Sequence, residues 1–204
     1  MLVAARTHDY GKQPVDHLAK LLRSESIEAA QLVLPKAFSE INSYDEVTPR
    51  LVEQIRRNFE EENVKIQILG CYMDLANPDD DVRKNAVDTF KKCLKFNQIL
   101  GAAIVGTETA YPRLSLEEKK IWHPYMMDSV ARLVEEAERL DVDMALEPVY
   151  WHPLEDLETT VEVFEKMNSN RLKMIFDPAN VLEFPEIDQN AYWKEWLEHW
   201  DTRS

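Results

Sequence analysis

Hydrophobic residues divide the chain into short apolar runs that alternate with longer amphipathic segments. The short runs are rich in β-branched residues and are typical of buried strands, whereas the longer segments repeat apolar positions with the period of a helix. This pattern predicts strands at residues 2–7, 29–34, 64–71, 102–107, 143–147 and 173–177. It predicts helices at about 14–24, 48–62, 79–99, 115–140, 155–168 and 189–200.

Capping residues support several of these helix boundaries. Thr48 places a hydroxyl directly before a proline in a predicted first turn, and Ser115 and Glu118 have the spacing of a capping box. Gly101 and Asp141 follow the ends of two predicted helices, where a positive φ is common. The alternation of strands and helices therefore rests on two independent signals.

Strict alternation without hairpin signals predicts parallel strands with right-handed crossovers, in either a barrel or a doubly wound sheet. The chain contains only four glycines, and no glycine-rich phosphate loop follows the first predicted strand. This composition weighs against a Rossmann nucleotide-binding fold. We therefore predict an α/β fold of the (β/α) barrel type that occupies residues 1–204 as one domain.

Composition and charge narrow the class of protein. Of the 204 residues, 45% are hydrophobic and 30% are charged, which is typical of a globular protein, and no apolar run reaches membrane-spanning length. A net charge of −14 opposes binding to nucleic acid. The N-terminus lacks the features of a secretory signal, so we expect a cytoplasmic protein. Cys71 and Cys93 lack the spacing of a zinc site and are predicted to be buried free thiols.

Ionisable residues stand at the predicted carboxyl ends of several strands, which is where a (β/α) barrel builds its active site. Glu147 follows the apolar run Met-Ala-Leu, and Asp177 follows Met-Ile-Phe. Neighbouring strands lie about 5 Å apart, so these two carboxylates are expected to face each other. A divalent cation with oxygen ligands relieves their repulsion. The alternative is that each carboxylate pairs with an arginine or lysine.

Two segments of the chain carry a family resemblance. Residues 137–182, which contain Leu-Glu-Pro and Asp-Pro-Ala-Asn, resemble the fifth and sixth units of the sugar phosphate isomerase/epimerase group in the xylose-isomerase-like superfamily. Residues 68–110 resemble the third and fourth units of the same group. The resemblance implies that Glu147 and Asp177 are ligands of a divalent metal ion, for which manganese, magnesium and zinc are candidates.

The resemblance also implies a reaction. A metal that binds a sugar carbonyl and the neighbouring hydroxyl makes the proton on the adjacent carbon easier to remove. Glu147 would be the catalytic acid or base as well as a ligand, although a carboxylate with an ordinary pKa is a weak base at neutral pH. The implied partner is a small sugar or sugar phosphate. Its candidate binding residues are His8, Glu108, His152 and Asn180.

Aromatic residues near the strand ends are candidates for a sugar-binding floor, because aromatic faces pack against sugar C–H surfaces. The residues in question are Tyr10, Tyr150 and Trp151, for which packing beneath a loop is the structural alternative. A second aromatic cluster has helical spacing and is predicted to form the buried face of the last helix. It consists of Tyr192, Trp193, Trp196 and Trp200.

Other functions remain open at this point. An inosose dehydratase-like lyase would begin with the same proton removal. Apurinic endonucleases of the superfamily use a multi-zinc site, which Asn180 fits poorly because those enzymes have a histidine at the corresponding position. A non-catalytic barrel fragment is the third alternative.

The fragment alternative arises from the number of predicted units. The chain contains about six of the eight βα units of a closed barrel. In the family, strand seven supplies a metal-binding histidine and strand eight a glutamate, and neither has a counterpart before Ser204. We therefore expect weak metal binding, low activity, and self-association or a partner chain that covers the open edges.

Overall fold

The computed structural model describes residues 3–182 and 188–201. Within them, strands and helices alternate along the chain. The strands are β1 (Ala4–Arg6), β2 (Ala29–Leu32), β3 (Lys65–Gly70), β4 (Ile104–Thr107), β5 (Met144–Leu146) and β6 (Leu172–Met174). The helices are α1 (Leu18–Ser24), α2 (Leu34–Ala37), α3 (Pro49–Glu61), α4 (Asp80–Leu100), α5 (Leu116–Leu140), α6 (Leu157–Met167) and α7 (Gln189–Asp201).

The six strands form one parallel sheet in which sequence order is also spatial order, from β1 to β6. A doubly wound sheet would reverse its strand order, so this topology is that of a barrel wall. Within the described residues, β1 and β6 each pair with a single strand, and the sheet corresponds to six of a barrel's eight strands. The predicted fold class, an incomplete (β/α) barrel, is confirmed.

Capping contacts explain where the helices begin and end. The Thr48 hydroxyl accepts a hydrogen bond from the Leu51 amide, and Ser115 and Glu118 form the predicted reciprocal capping box. Gly101 and Asp141 both adopt the left-handed conformation after α4 and α5, with φ of 74° and 57°. These local signals were therefore read correctly from the sequence.

The core lies between the sheet and the helices that cover it. Its largest completely buried side chains include Phe59 on α3, Phe90 on α4 and Leu22 on α1. Each such side chain contributes about 1.5–3 kcal/mol through removal from water. Cys71 and Cys93 are both buried and free, as predicted. No described helix has the length and apolar character needed to cross a bilayer.

The inside of the barrel wall is packed closely around Gly106 on β4. A Cβ atom at this position would lie 2.6 Å from Ile175 Cδ1 and 3.1 Å from Ile68 Cγ2. Both distances are shorter than an ordinary carbon–carbon contact, so a larger residue would require the isoleucine side chains to shift. Gly106 on β4 therefore lets Ile68 of β3 and Ile175, which follows β6, pack closely against it.

Several predicted boundaries differ from the structure. The strands are shorter than predicted. Five of them end before the predicted last residue, and Thr7–Tyr10, for example, forms a 3-10 turn after β1, whereas β4 ends at Thr107 as predicted but begins later. Helix α2, which begins with Pro35 in its first turn, was not predicted at all. Helix α1 starts at Leu18, later than predicted. In α7 the aromatic cluster is only partly buried: Trp196 is fully buried, whereas Tyr192 is half-buried.

Candidate active site

A cavity of about 570 Å³ opens at the carboxyl ends of the strands, and we refer to it as the strand-end cavity. Three carboxylates line it, one after each of the last three described strands: Glu108 after β4, Glu147 after β5 and Asp177 after β6. His8 and Asn180 line it as well. The predicted site residues are therefore largely brought together, with the exception of His152.

Glu147 is a buried carboxylate in an acidic environment. Its backbone amide donates to the Thr107 carbonyl (2.9 Å), so the residue continues the ladder of β5. Asn180 Nδ2 donates a hydrogen bond of 2.8 Å to Glu147 Oε1. Burial, followed by the charges of Glu108 and Asp177, raises the pKa of Glu147 to about 7, while the Asn180 hydrogen bond opposes this shift. Glu147 is consequently a much better base at neutral pH than an ordinary carboxylate.

Asp177 is half-buried and is oriented by the turn that follows it. Its Oδ1 atom accepts hydrogen bonds from the amides of Ala179 (2.8 Å) and Asn180 (3.4 Å). Within the described residues, Oδ2 accepts no hydrogen bond, so this oxygen is free for a ligand. The Asn180 carbonyl in turn accepts from the Tyr150 amide (2.8 Å), which ties the loop after β6 to the loop after β5.

Glu108 and His152 form a contact at one side of the cavity. His152 Nδ1 lies 3.8 Å from Glu108 Oε2, and this nitrogen is buried without a hydrogen-bond partner among the described residues. Burial lowers the pKa of His152 to about 4, and burial followed by Asp177 raises the pKa of Glu108. His152 is 1% exposed and is absent from the described cavity lining. The structure therefore places His152 behind Glu108.

His8 lies in the turn after β1 and lines the opposite side of the cavity. Its Nδ1 atom is buried without a hydrogen-bond partner in the described part of the chain. Burial and the charge of Arg6 lower the pKa of His8. The neighbouring Asp9 is engaged elsewhere, because both of its oxygens accept from Arg6, at 2.9 and 3.1 Å. His8 is thus the residue of this turn that lines the cavity.

Sequence reasoning assigned no site role to several polar residues that line the cavity, among them Arg6, Gln31, Lys36 and Tyr111, and it noted Tyr72 only as a residue at the end of the third strand. Gln31 could have been found, because it is a polar residue inside an otherwise apolar strand; its amide donates to the Tyr72 hydroxyl. Lys36 lies on the unpredicted helix α2, so no sequence signal marked it. Burial, followed by Glu147 and Glu108, raises the pKa of Tyr72.

The aromatic residues proposed as a sugar-binding floor lie elsewhere. Tyr150 and Trp151 are absent from the described cavity lining and pack edge to face, with ring centroids 4.5 Å apart. The Arg113 guanidinium lies over both rings, 4.6 Å from the centroid of Trp151 and 5.2 Å from that of Tyr150. Tyr10 is also absent from that lining. The structure thus matches the alternative of aromatic packing under a loop for Tyr150 and Trp151.

The charges and donor atoms of the cavity bear on the predicted metal. Three carboxylates line the cavity, from Glu108, Glu147 and Asp177. The lysine and arginine in the lining are Lys36 and Arg6, and Arg6 already forms an ion pair with Asp9. Carboxylate oxygens suit hard divalent cations. Across residues 3–182 and 188–201, no three histidine, cysteine or acidic side chains are arranged to hold an ion. The cavity therefore has the charge and the donor type that a hard divalent cation prefers, without a described group of three such side chains around one point.

A family comparison adds independent information. The sequence matches the family model described as the xylose isomerase-like TIM barrel over residues 15–202. The chain belongs to this family. The family description agrees with the (β/α) barrel topology of the described sheet. A comparison with curated proteins gives no match.

Solved structures of the same fold include two epimerases. D-Psicose 3-epimerase from Clostridium cellulolyticum H10, solved with D-tagatose, has 16% identity and a TM-score of 0.73 over 94% of this chain and 71% of that chain. The 3-keto-D-glucoside 4-epimerase YcjR from E. coli has 11% identity and a TM-score of 0.75 over 96% of this chain and 75% of that chain. At such low identities these matches show the fold.

A further similar structure was solved with a metal ion. It is a xylose isomerase-like TIM barrel protein from Mycobacterium smegmatis in complex with magnesium, with 15% identity and a TM-score of 0.70 over 95% of this chain and 70% of that chain. The chain therefore spans between 70% and 75% of the lengths of these three proteins.

Proposed function

We propose that this chain is a metal-dependent sugar isomerase or epimerase that transfers a proton at the carbon beside a carbonyl. The observation that carries the proposal is the convergence of Glu147, Asp177 and Glu108 in one cavity at the strand ends of a xylose isomerase-like barrel. Support also comes from the two epimerases that share the fold.

The proposed cofactor is a divalent cation held by Glu147 and Asp177. Asp177 Oδ2 is free of hydrogen bonds among the described residues, and Glu147 uses only Oε1 for its bond to Asn180. Each residue therefore has an oxygen to offer. A bound divalent cation would polarise the sugar carbonyl and so acidify the neighbouring C–H group. The magnesium complex of the M. smegmatis protein supports this assignment, and manganese and zinc are the other candidates.

Within this proposal, Glu147 removes the proton from the carbon beside the carbonyl. In an isomerisation Glu147 would return that proton to the neighbouring carbon, and in an epimerisation a second proton donor on the opposite face of the sugar would reprotonate the same carbon. Without a metal, burial raises the pKa of Glu147 to about 7. A divalent cation on its carboxylate would lower this pKa again and keep Glu147 in the proton acceptor form at neutral pH. Asn180 fixes the carboxylate through its 2.8 Å hydrogen bond. Glu108 and His8 face the same cavity and bind sugar hydroxyls. His152 lies behind Glu108, 3.8 Å from its carboxylate and without a hydrogen bond to it, and has no direct role in this mechanism.

The test is hydrogen exchange at the substrate carbon. The protein is incubated in deuterium oxide with manganese and a panel of ketoses and inososes, and deuterium beside the carbonyl is measured by mass spectrometry. We expect incorporation with wild type and a loss of at least about 100-fold in Glu147→Gln, the usual scale for removing a general base. Glu158→Gln, an exposed position on α6, is the matched control. Deuterium incorporation that Glu147→Gln leaves unchanged would refute the assignment.

The metal assignment is tested separately from activity. Titration calorimetry with manganese, magnesium and zinc compares wild type, Glu147→Gln, Asp177→Asn and the Glu158→Gln control. We expect weaker binding in the first two variants and no change in the control, because each of the first two replaces one charged ligand. Equal affinity in wild type and Glu147→Gln would contradict the assignment. Loss of water from an inosose in the exchange experiment would instead indicate a lyase.

A further inference from the structure

A second cavity of about 470 Å³ lies beside the strand-end cavity, and we refer to it as the side cavity. The two cavities share three lining residues, Lys36, Tyr72 and Tyr111, so they are neighbours on either side of these residues. The far wall of the side cavity is formed by α4, through Asn85 and Thr89. A ligand in the strand-end cavity would have to extend past these three residues to reach α4.

The walls of the side cavity are held by hydrogen bonds. The Tyr111 hydroxyl donates to the Tyr72 carbonyl (2.8 Å), and the Tyr44 hydroxyl donates to the Gly70 carbonyl (2.8 Å). Lys92 Nζ donates to the Tyr44 carbonyl (2.6 Å). A Cβ at Gly70 would lie 2.9 Å from the Tyr72 ring, so glycine is what allows this ring to lie back over the strand end. The cavity is therefore formed before any ligand binds.

The chemistry of the lining suits a sugar ring. Tyr72 and Tyr111 offer aromatic surface, which packs against sugar C–H groups, while short polar side chains fix hydroxyls. The side chains of Asn85 and Thr89 make no hydrogen bond within the described residues, so they are available to a ligand. The lining residues include one cation, Lys36, and one anion, Asp45, whose carboxylate lies 3.7 Å from the Lys92 ammonium. The lining residues by themselves carry no net charge, and a neutral polyhydroxylated group is compatible with them.

Size favours an additional ring. Cavities of about 300 Å³ and above already hold complete small-molecule ligands, and the strand-end cavity alone exceeds this. A single six-carbon sugar beside Glu147 would therefore leave the side cavity unused. Lys36 is the only cation among the described lining residues of the side cavity that could bind an anionic group. Its ammonium group already lies over the Tyr72 ring, 5.9 Å from the centroid, and its charge opposes the rise that burial causes in the pKa of Glu108. We therefore do not assign an anion site to Lys36.

We propose that the side cavity is a subsite for a second, neutral sugar ring, so that the substrates are glycosides or disaccharides whose carbonyl-bearing unit lies beside Glu147. This inference rests on the proposed function and specifies its substrate class. Tyr72 and Tyr111 would separate the reacting unit from the attached ring, and Asn85 and Thr89 would bind the hydroxyls of the attached ring.

The experiment compares two ligands on the complete chain by titration calorimetry in magnesium buffer. D-Fructose is the single ketose, and isomaltulose carries the same ketose with glucose on its terminal hydroxyl, which leaves the carbonyl carbon free. We expect isomaltulose to bind about tenfold more tightly than D-fructose to wild type, a difference of about 1.4 kcal/mol. D-Fructose phosphorylated at its terminal hydroxyl is the anionic comparison, and we expect it to bind no better than D-fructose.

Variants on α4 link the preference to the side cavity. Asn85→Trp fills the cavity from an exposed position, and we expect it to reduce isomaltulose affinity to that of D-fructose while D-fructose binding is unchanged. Val82→Trp, also exposed on α4 but outside the described lining, is the matched control and should bind as wild type does. Thr89→Phe is a second filling variant, in case Asn85→Trp alters folding, which circular dichroism would reveal.

The outcomes separate this inference from the proposed function. If D-fructose binds and isomaltulose binds no better, or if neither filling variant affects the preference, the side cavity is not a sugar subsite. If the phosphorylated ketose alone gains affinity, the cavity selects anions through Lys36 and the inference is wrong. If no sugar binds at all, the inference and the proposed function both fail.

Discussion

Lys119 connects helix α5 to the loop that follows Glu147. It lies in the first turn of α5, is 4% exposed, and donates a hydrogen bond of 2.9 Å to the Tyr150 carbonyl. Its ammonium group also forms an ion pair with Glu155, at the other end of the same loop. Because this loop includes His152 and begins beside Glu147, we expect replacement of Lys119 to destabilise both the domain and the active-site wall.

The size of the effect follows from burial. Lys119→Met keeps the apolar stem, removes the charge, and leaves the Tyr150 carbonyl and the Glu155 carboxylate without their partner. Breaking a fully buried ion pair costs about 3–5 kcal/mol. Glu155 is 25% exposed and recovers some hydration, so we expect a loss of about 2–4 kcal/mol in the free energy of unfolding. For a domain of this size, a loss of 3 kcal/mol lowers Tm by about 6–12 °C.

The assay is urea denaturation of wild type, Lys119→Met, Glu155→Gln and the double variant. Amide hydrogen exchange adds a local readout: the Val149 amide donates to Leu154 (2.9 Å) within this loop, and its exchange should accelerate in Lys119→Met. Lys120→Met, an exposed neighbour, is the control. A cost below about 1 kcal/mol for Lys119→Met, or purely additive effects in the double variant, would refute the reasoning.

Three further perturbations have defined outcomes. Gly106→Ala should lower the free energy of unfolding, measured in urea, by about 1–3 kcal/mol, because the new Cβ would lie 2.6 Å from Ile175 Cδ1. Adding Ile175→Val removes that methyl group and should recover part of the loss. A double variant that recovers nothing would contradict the clash. Ser115→Ala should cost about 1 kcal/mol through loss of the α5 capping box, measured by thermal melting, and an unchanged Tm would count against it. Burial lowers the pKa of His152 from 6.5 to about 4, so its contribution to stability is complete above about pH 6.5 and is lost as pH falls towards 4. Between pH 6.5 and 4 the free energy of unfolding of wild type should fall by up to about 3 kcal/mol more than that of His152→Gln, measured by urea denaturation at each pH. If the free energies of unfolding of the two proteins change equally with pH, His152 is not held neutral by burial.

The sequence was sufficient for features that depend on neighbouring residues. Alternating apolar runs and helical periods predicted all six described strands in order, and the capping residues Thr48, Ser115 and Gly101 marked helix ends. The positions of Glu147 and Asp177 after apolar strands also placed them correctly at one end of the sheet. Each of these signals resides in a few consecutive residues, because periodicity and capping are local hydrogen-bonding and burial patterns.

The sequence was not sufficient for features that depend on packing between distant segments. The raised pKa of Glu147 requires its burial and its proximity to Glu108, 39 positions earlier in the chain, and to Asp177. The sequence predicted that His152 binds the substrate from a loop after β5. In the described structure His152 is buried behind Glu108 and does not line the cavity. Desolvation and charge interactions depend on three-dimensional distance, which a single sequence does not display.

The cavity lining shows the same division between local and long-range information. Lys36 and Tyr72 lie next to each other in space, yet one comes from a short helix after β2 and the other from the loop after β3. Neither helix propensity nor hydrophobic pattern marks Lys36, because its role depends on which strands are neighbours in the sheet. The sequence alone determined the order of the elements and the carboxylates at their ends. Tertiary packing decided which side chains share a cavity, since parallel pairing brings the ends of separate strands together.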